Sequence, residues 1–184
     1  MQWRKFRMKL TSNKLLIVFA IISVLGSMLI TFLLLFDPFD KSDSLYVSGR
    51  TLYIKAYEPV IVENYKFLGS ENSESSIKSP EGYKLAILNL EITNAASSDV
   101  RIISNEESSE FMSINGFTYK PINPFELSSN SQNQNTNLPS PIWGSYTLNI
   151  KEKLKGFLIF QVKESFQPKK FEWNASDRVV ISFD

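Results

Sequence analysis

Residues 15–36 form a run of 22 residues without a charged side chain, bounded by Lys14 and Asp37. An α-helix rises about 1.5 Å per residue, so this run extends over roughly 33 Å and can cross the ~30 Å hydrocarbon core of a bilayer. The sequence therefore predicts one transmembrane helix over residues 15–36, followed by one domain-sized segment.

The charges on the two sides of this run are asymmetric. Residues 1–14 carry five Lys and Arg and no acid, whereas every Asp and Glu of the chain lies after residue 36. A short positively charged flank stays in the cytoplasm, so we expect residues 1–14 to be cytoplasmic and the C-terminal segment to be extracellular. The predicted localisation is the cell membrane, with a single-pass signal-anchor topology.

A cleaved signal peptide is the alternative interpretation of the same N-terminus. Its apolar core is usually 7–15 residues long and precedes a cleavage site of small residues. Here the apolar run is longer, and it ends in residues 33–36, Leu-Leu-Leu-Phe, directly before Asp37 and Pro38. These features favour an uncleaved anchor, and a chain without Cys cannot carry a lipoprotein anchor.

Small residues recur along one face of the predicted helix, namely Ser23, Gly26, Ser27 and Thr31. Stripes of small residues at four-residue spacing let membrane helices approach closely. We therefore predict helix packing through this face against another membrane or envelope protein. The alternative is that these residues are simply tolerated in lipid.

The composition of the chain excludes several kinds of chemistry. Because there is no His and no Cys, a Ser-His-Asp triad, a thiol nucleophile, an ordinary zinc site and disulfides are all excluded. We expect no cofactor and no metal site. Residues 37–184 hold 15 Lys and Arg against 19 Asp and Glu, a net charge of −4, and their basic residues are scattered. This distribution argues against a nucleic-acid partner.

Residues 37–49 are predicted to be a linker. In the following segment, 50–184, apolar and polar residues often alternate with a period of two. In residues 83–93 the even positions from Ala86 to Ile92 are all apolar, whereas the odd positions change from apolar to polar after Ile87. Such alternation predicts a half-buried strand. Further strands are predicted over 51–58, 60–68, 100–103, 111–120, 143–150, 156–162 and 171–183.

The intervening segments are predicted to be turns and loops. Asn115-Gly116 indicates a hairpin turn. Residues 69–81 are predicted to form a polar loop, and residues 128–140, which are rich in Ser, Asn and Gln, are predicted to form a long mobile loop. A helical turn is an option for residues 104–110. With seven to nine short strands and no convincing amphipathic helix, the fold class predicted is all-β, an antiparallel β-sandwich.

Three segments in a fixed order resemble a known family. Residues 82–94 are similar to a strand ending in Asn, residues 111–119 to a strand, an Asn-Gly turn and a Tyr, and residues 154–162 to a G-x-hydrophobic-x-F-x-V strand. Together they resemble the telokin-like, immunoglobulin-like extracytoplasmic domain of unknown function found in lipoproteins and membrane-anchored proteins of Gram-positive bacteria. The resemblance covers about residues 50–184 and implies an immunoglobulin-like sandwich outside the membrane, with no reaction and no catalytic residues.

The chain departs from that family in two places. It has a predicted spanning helix where the lipoproteins carry a lipidated Cys, and it contains the Ser, Asn and Gln-rich stretch 128–140.

Several side chains are candidates for a functional site. Trp143 follows the predicted loop and comes after Pro139 and Pro141, so we predict that Trp143 and Tyr146 form a binding surface. The alternative is that both residues are buried in the core. Glu106, Glu107 and Glu110 form a dense acidic group, which is a cation site, a pair of acid-base carboxylates, or else a solvated loop or helix edge. Basic residues of the last third could face anionic lipid or wall polymer, or merely solubilise strand edges: Lys151, Lys153, Lys155, Lys163, Lys169 and Lys170.

These observations predict a membrane-tethered, non-enzymatic extracytoplasmic binding or assembly module. The version we favour is an accessory subunit of a membrane transport, secretion or envelope complex. A surface ligand sensor or scavenger is the first alternative, and a carboxylate-based hydrolase is the second. Because fold does not determine function, the sequence alone does not choose among them.

Overall fold

The structure is a computed structural model that describes residues 44–69, 72–134 and 137–183; the side chains of 44–47 and 130–134 are outside the description. The predicted spanning helix over 15–36, with Ser23, Gly26, Ser27 and Thr31, lies outside the described residues. Among the described residues, no helix is long and apolar enough to span a bilayer. The described residues belong to one compact unit, residues 42–184.

The described part of the chain contains fourteen strands and one short helix. The elements are β1 (Ser44–Ser48), β2 (Leu52–Tyr57), β3 (Val60–Val62), β4 (Asn64–Leu68), β5 (Ser73–Lys78), β6 (Tyr83–Asn94), β7 (Val100–Ser104), β8 (Ser109–Ser113), β9 (Thr118–Tyr119), α1 (Pro124–Leu127), β10 (Ser129–Gln134), β11 (Gly144–Leu148), β12 (Lys153–Lys163), β13 (Pro168–Trp173) and β14 (Val179–Ser182). All the strand ladders among them are antiparallel.

Two sheets face each other across the main core. The central sheet has the order β1-β2-β6-β12, with β3 also pairing β6, and the opposite sheet has the order β14-β13-β8-β9. The even residues of β6 from Ala86 to Ile92 lie in the core between them, as predicted. The Phe111 ring of β8 packs edge-on against Phe160 of β12, with ring centroids 5.2 Å apart, and Phe160 also contacts Phe171 of β13 at 6.3 Å. These contacts join the two sheets into a sandwich.

A third layer covers half of the other face of the central sheet. It is the small sheet β10-β5-β4, which contributes the buried side chains Phe67 and Ile77. They pack against Leu85 and Ile87 of β6, and the ring of Phe157 on β12 lies 5.9 Å from that of Phe67. This layer explains the sequence pattern of β6, because its odd positions are apolar only where the third layer lies over them.

A buried amide at the end of β6 fixes the neighbouring strand pair β7–β11. Asn94 is fully buried; its Nδ2 donates to the carbonyls of Ser98 and Leu148, each at 2.9 Å, and its Oδ1 accepts the Ala96 N–H at 2.8 Å. The same residue ends the first of the three segments that carry the family resemblance. Its role is to join the turn after β6 to the end of β11.

Most of the predicted strands are confirmed, including the hairpin across residues 111–120, whose register pairs Phe111 with Tyr119. The prediction of an all-β antiparallel fold is confirmed as well. The predicted last strand over 171–183 is instead two strands, β13 and β14, separated by a turn. Of the helix considered for residues 104–110, only one turn is present: residues 105–108 form a hydrogen-bonded turn that leads into β8.

Three predicted loops contain strands. Residues 44–48, placed in the linker 37–49, form β1 and pair with β2 along their whole length. Residues 73–78, in the predicted loop 69–81, form β5, and residues 129–134, in the predicted mobile loop 128–140, form β10 and pair with β5. β5 contains Glu and Lys and β10 contains Asn, residues with low strand preference, and here pairing with a neighbouring strand overrides that preference.

Candidate binding surfaces

Among the described residues, the third layer covers only half of the outward face of the central sheet, and we call the other half the open face. On β6, Leu85 and Ile87 are covered by the third layer, whereas Asn89, Glu91 and Thr93 are only partly buried. Adjacent strands place further polar and amphipathic residues on this open face: Tyr53, Lys55 and Tyr57 of β2 and Lys153 and Lys155 of β12. A rigid sandwich thus presents a polar surface with aromatic and cationic groups.

Three lysines surround one carboxylate on this surface; we call Lys55, Glu91, Lys153 and Lys155 the lysine face. Glu91 Oε1 accepts from Lys153 Nζ at 2.7 Å, and its Oε2 lies 3.1 Å from Lys155 Nζ. Hydrogen bonding from Lys153, reinforced by Lys155, holds the pKa of the Glu91 carboxyl below its usual value, against the opposing effect of burial. With three cations and one anion, the lysine face has a formal charge of +2.

Lys55 completes the lysine face from the neighbouring strand. It lies opposite Glu91 in the β2–β6 ladder, and its Nζ lies 4.8 Å from the centroid of the Tyr57 ring. Cation–π contacts of this kind are worth about 0.5–1 kcal/mol at exposed sites. The contact therefore orients a lysine and a tyrosine side by side on the open face.

A cleft of about 260 Å³ adjoins the lysine face. Its floor and walls come from β2, β6, β12 and the segment before β11: Tyr57, Asn89, Leu90, Glu91, Pro139, Ser140, Lys155 and Gly156. The segment is held to β4 by the Leu68 N–H, which donates to the Pro139 carbonyl at 2.9 Å. It is held to β12 by the Ile142 N–H, which donates to the Phe157 carbonyl at 2.8 Å.

Gly156 makes this crossing possible. A Cβ atom at Gly156 would lie 2.5 Å from the Ser140 carbonyl oxygen and 2.8 Å from Ile142 Cγ1. Both distances are shorter than ordinary contacts, so any side chain here would push the segment off β12. The absence of a side chain at Gly156 thus sets the wall of the cleft.

A second exposed surface is the turn between β8 and β9, where Ile114 and Phe117 are 51% and 50% exposed; we call these two residues the apolar tip. The turn is closed by the Gly116 N–H, which donates to the Ser113 carbonyl at 3.0 Å, and Gly116 has a φ of +80°. That left-handed conformation favours Gly, and it accounts for the Asn115-Gly116 signal. Two large apolar side chains are therefore held outside the core.

The apolar tip is pinned to the turn between β12 and β13. The Ile114 N–H donates to the Gln167 carbonyl at 3.0 Å, and Lys163 Nζ lies 4.2 Å from the centroid of the Phe117 ring. Tyr83, 38% exposed, lies opposite Lys163 in the β6–β12 ladder. The tip is thus an ordered apolar projection bordered by a cation and a tyrosine.

Trp143 and Tyr146, the predicted binding surface, lie together and are both partly buried. The Tyr146 hydroxyl accepts the Trp143 N–H at 3.0 Å and lies 3.1 Å from the Trp143 carbonyl oxygen, and the Tyr146 ring packs against the main core. Tyr146 therefore stabilises the turn at Trp143. Neither residue lines the cleft of about 260 Å³, and their role in binding stays a prediction.

The acidic group lies on the turn before β8 and at its start. Glu106 and Glu107 are exposed and Glu110 is partly buried. Both oxygens of Glu107 accept from Lys120 Nζ at 2.6 Å, and this hydrogen bond raises the pKa of Lys120. Among the described residues, no group of three or more acidic side chains could hold a metal ion.

No protein-family model matches the chain, and no curated protein matches it. Among solved structures, the chain is similar to a candidate lipoprotein, YcdA, of Bacillus subtilis, with 12% identity and a TM-score of 0.48 over 76% of this chain and 38% of that one. It is also similar to an uncharacterised β-sandwich protein of Clostridium difficile, with 9% identity and a TM-score of 0.43 over 76% of this chain and 90% of that one.

The chain covers little more than a third of the length of the Bacillus protein. Both TM-scores are below 0.5, so the fold assignment rests on the strand order and pairing described above.

Sequence reasoning missed the residues that form the cleft and the lysine face. The available signal was the change in β6 from apolar odd positions to Asn89 and Glu91, which marks where the sheet becomes uncovered. In the sequence Lys153 and Lys155 are two of several lysines in the last third, and only the register with Glu91 shows that these two share a surface. For the apolar tip, the sequence indicates a hairpin turn but not the exposure of its two apolar side chains.

Proposed function

We propose that this chain is a membrane-tethered, non-enzymatic extracytoplasmic binding module, an accessory subunit of a membrane transport, secretion or envelope complex. In this proposal an immunoglobulin-like sandwich, as the family resemblance implies, is held at the outer surface by the predicted span over 15–36. Tethering raises the effective concentration of the domain near other membrane proteins without any new contact.

One observation carries the proposal, namely the apolar tip. Ile114 and Phe117 are both about half exposed on the same turn, and that turn is anchored to Gln167. Ordered aromatic and aliphatic side chains on a rigid loop are typical anchors of protein interfaces. The tip therefore fits the contact with a protein partner.

The first experiment tests topology. Because the chain has no Cys, single cysteines report position without background. Ser182→Cys, at an exposed site on β14, should react with a membrane-impermeant maleimide in intact cells, whereas Ser12→Cys in the basic flank should react only after lysis. The reverse pattern, or reaction of both only after lysis, would refute the extracytoplasmic location.

The second experiment tests partner binding. A photo-crosslinking amino acid at Phe117 in the full chain should capture a discrete membrane or envelope protein in intact cells, and the double change Ile114→Ser with Phe117→Ser should abolish co-purification of that protein. The matched control is Ile103→Ser with Val180→Ser, which also removes two exposed apolar side chains, 49% and 37% exposed. Equal loss of the partner in both double variants would show that the tip is not the binding site.

A ligand sensor is the second candidate, and the cleft beside Tyr57 and Asn89 is the observation that favours it. Its volume of about 260 Å³ lies just below the range typical of small-molecule pockets. Ligands that bind the native state raise the melting temperature, so a screen of envelope fragments should find stabilisers that Asn89→Ala no longer binds. The hydrolase hypothesis stays untested, and Glu107 is engaged by Lys120.

A further inference from the structure

We infer that the lysine face docks on the anionic phospholipid headgroups of the chain's own membrane, so that the open half of the central sheet faces the bilayer. This inference rests on the proposed function, because it requires the predicted span and the extracytoplasmic location. The lysine face is a different surface from the apolar tip, and the inference assigns the membrane to it as a partner.

The first argument is charge complementarity. Residues 37–184 have a net charge of −4, yet four neighbouring positions of the central sheet, Lys55, Glu91, Lys153 and Lys155, sum to +2. Glu91 gathers two of the ammonium groups to within 2.7 and 3.1 Å of its carboxylate, which concentrates positive charge at one place. Anionic bilayers attract clustered Lys and Arg, and the attraction fades within a Debye length of about 10 Å at 0.1 M salt.

The second argument is the chemistry of the neighbouring side chains. Tyr53 and Tyr57 flank Lys55 on β2, on the same outward face. Tyrosine rings favour the headgroup level of a membrane, where one end is apolar and the other is hydrated. Lys153 and Lys155 pair with Glu91 but are mostly exposed, at 56% and 71% of their side chains, so their ammonium groups are accessible to phosphates.

The third argument is the point at which the chain enters the domain. Ser44 pairs with Tyr57, which lines the cleft beside the lysine face. Only residues 37–43 separate Ser44 from the predicted span, and seven residues reach at most about 25 Å. The anionic surface most accessible to the lysine face is therefore the bilayer to which the chain is tethered.

The test uses the full chain in lipid nanodiscs, made of phosphatidylcholine alone or of phosphatidylcholine mixed with phosphatidylglycerol. A fluorophore on Thr93→Cys, between Tyr53 and Lys153 in the ladders, reports the lysine face, and one on Ser182→Cys reports the opposite sheet. A quencher attached to the lipid headgroups should quench the label at position 93 in the anionic discs. It should not quench the label there in neutral discs or at high salt, nor the label at position 182 in either disc.

Charge variants locate the effect. Lys153→Gln with Lys155→Gln should reduce the fraction of quenched label by about tenfold, since each lysine near an anionic bilayer contributes several-fold. Lys66→Gln with Lys169→Gln changes the net charge equally at two exposed sites elsewhere and should leave the quenching unchanged. Melting temperatures within a few degrees of the parent chain would show that all four substitutions leave the fold intact.

Each of the following outcomes would overturn the inference. Equal quenching in neutral and anionic discs would make the contact non-electrostatic, and equal loss in both charge variants would make it independent of the lysine face. If the fluorescence of the label at position 93 changes with soluble polyglycerol phosphate but not with anionic discs, the lysine face binds an anionic polymer instead of the membrane. Failure of the maleimide experiment at Ser182 would refute the proposed function itself, whereas correct topology without quenching would refute only the docking.

Discussion

Asp177, in the turn between β13 and β14, accepts the Thr51 backbone N–H at its Oδ2 atom, 2.7 Å away. The same oxygen accepts the Leu52 N–H at 3.0 Å, so one carboxylate joins the C-terminal strand pair to the start of β2. The opposing Gly49 has no room for a side chain, because a Cβ there would lie 2.2 Å from that oxygen. The edge where the two sheets meet is therefore fastened by a single acidic side chain.

Asp177→Asn should destabilise the fold at neutral pH. Burial acts to raise the pKa of the Asp177 carboxyl, but hydrogen bonds from Thr51, Leu52 and Arg178 outweigh it and hold the pKa below its usual value. A lowered pKa in the folded state stabilises the protein above the unfolded pKa of about 3.9, and this stabilisation is lost as pH falls through the folded pKa. Replacing a charged acceptor should cost about 1–2 kcal/mol at neutral pH.

The measurement is urea unfolding of the full chain in detergent, at pH 7 and at successively lower pH below about 3.9, where the difference between parent and variant should shrink. Asp99→Asn, at an exposed turn position, is the control and should have no effect. A stability difference that stays constant across this pH range would contradict a role for the ionised carboxylate.

Asn94→Ala should be among the more damaging polar substitutions in the domain. It leaves two carbonyl groups and one N–H around a fully buried site without their partner, those of Ser98, Leu148 and Ala96. Each unsatisfied buried group costs about 1–3 kcal/mol, so we expect a loss of about 2–4 kcal/mol in total. Chemical denaturation provides the measurement, and Asn89→Ala on the open face should change stability by less than about 0.5 kcal/mol.

Gly156→Ala should move the segment that walls the cleft. The new methyl group would meet the Ser140 carbonyl, which cannot shift without moving the backbone, and we expect a cost of about 1–3 kcal/mol. Residues 137–142 should also become more sensitive to limited proteolysis. Gly116→Ala is the comparison: its φ of +80° makes it strained, but its Cβ has open space, so it should leave cleavage in 137–142 unchanged.

The Glu91 carboxyl should titrate below its ordinary pKa of about 4.3, because Lys153 and then Lys155 stabilise its charged form. In Lys153→Gln this pKa should rise, while in Lys66→Gln it should not change. Side-chain carboxyl NMR shifts of selectively labelled Glu provide the titration. A value for Glu91 that is the same in parent and Lys153→Gln would contradict the ion pair on which the lysine face depends.

The strands predicted from sequence were those whose own residues carry the signal. The even positions of β6 from Ala86 to Ile92 are all apolar and buried, and Asn115-Gly116 marks the turn between β8 and β9 because Gly116 has a positive φ. By contrast, β5 and β10 are rich in Ser, Asn and Gln and become strands by pairing with each other, as in the contact of Ser76 with Ser129. Composition gives no indication of such a partner.

The candidate surfaces were harder to predict for a related reason. The cleft depends on Pro139 and Ser140 crossing β12 at Gly156. These residues are separated in sequence, so no local pattern predicts their contact. The lysine face depends on which strand pairs with which, since Lys55 and Lys155 flank Glu91 only in the observed ladders. Period-two alternation indicates which side of a strand is outward, but it does not identify its neighbours.

The placement of β1 has a mechanical consequence. Ser44–Ser48 is an edge strand, paired with β2 through five consecutive residues, and it is the first described strand in the chain. Any tension applied to the polypeptide ahead of Ser44 is therefore borne first by this one ladder, before it reaches β6 or β12. Force along the strand loads all five pairings in shear, whereas force across it peels them one at a time, so the direction of pull decides how readily β1 detaches.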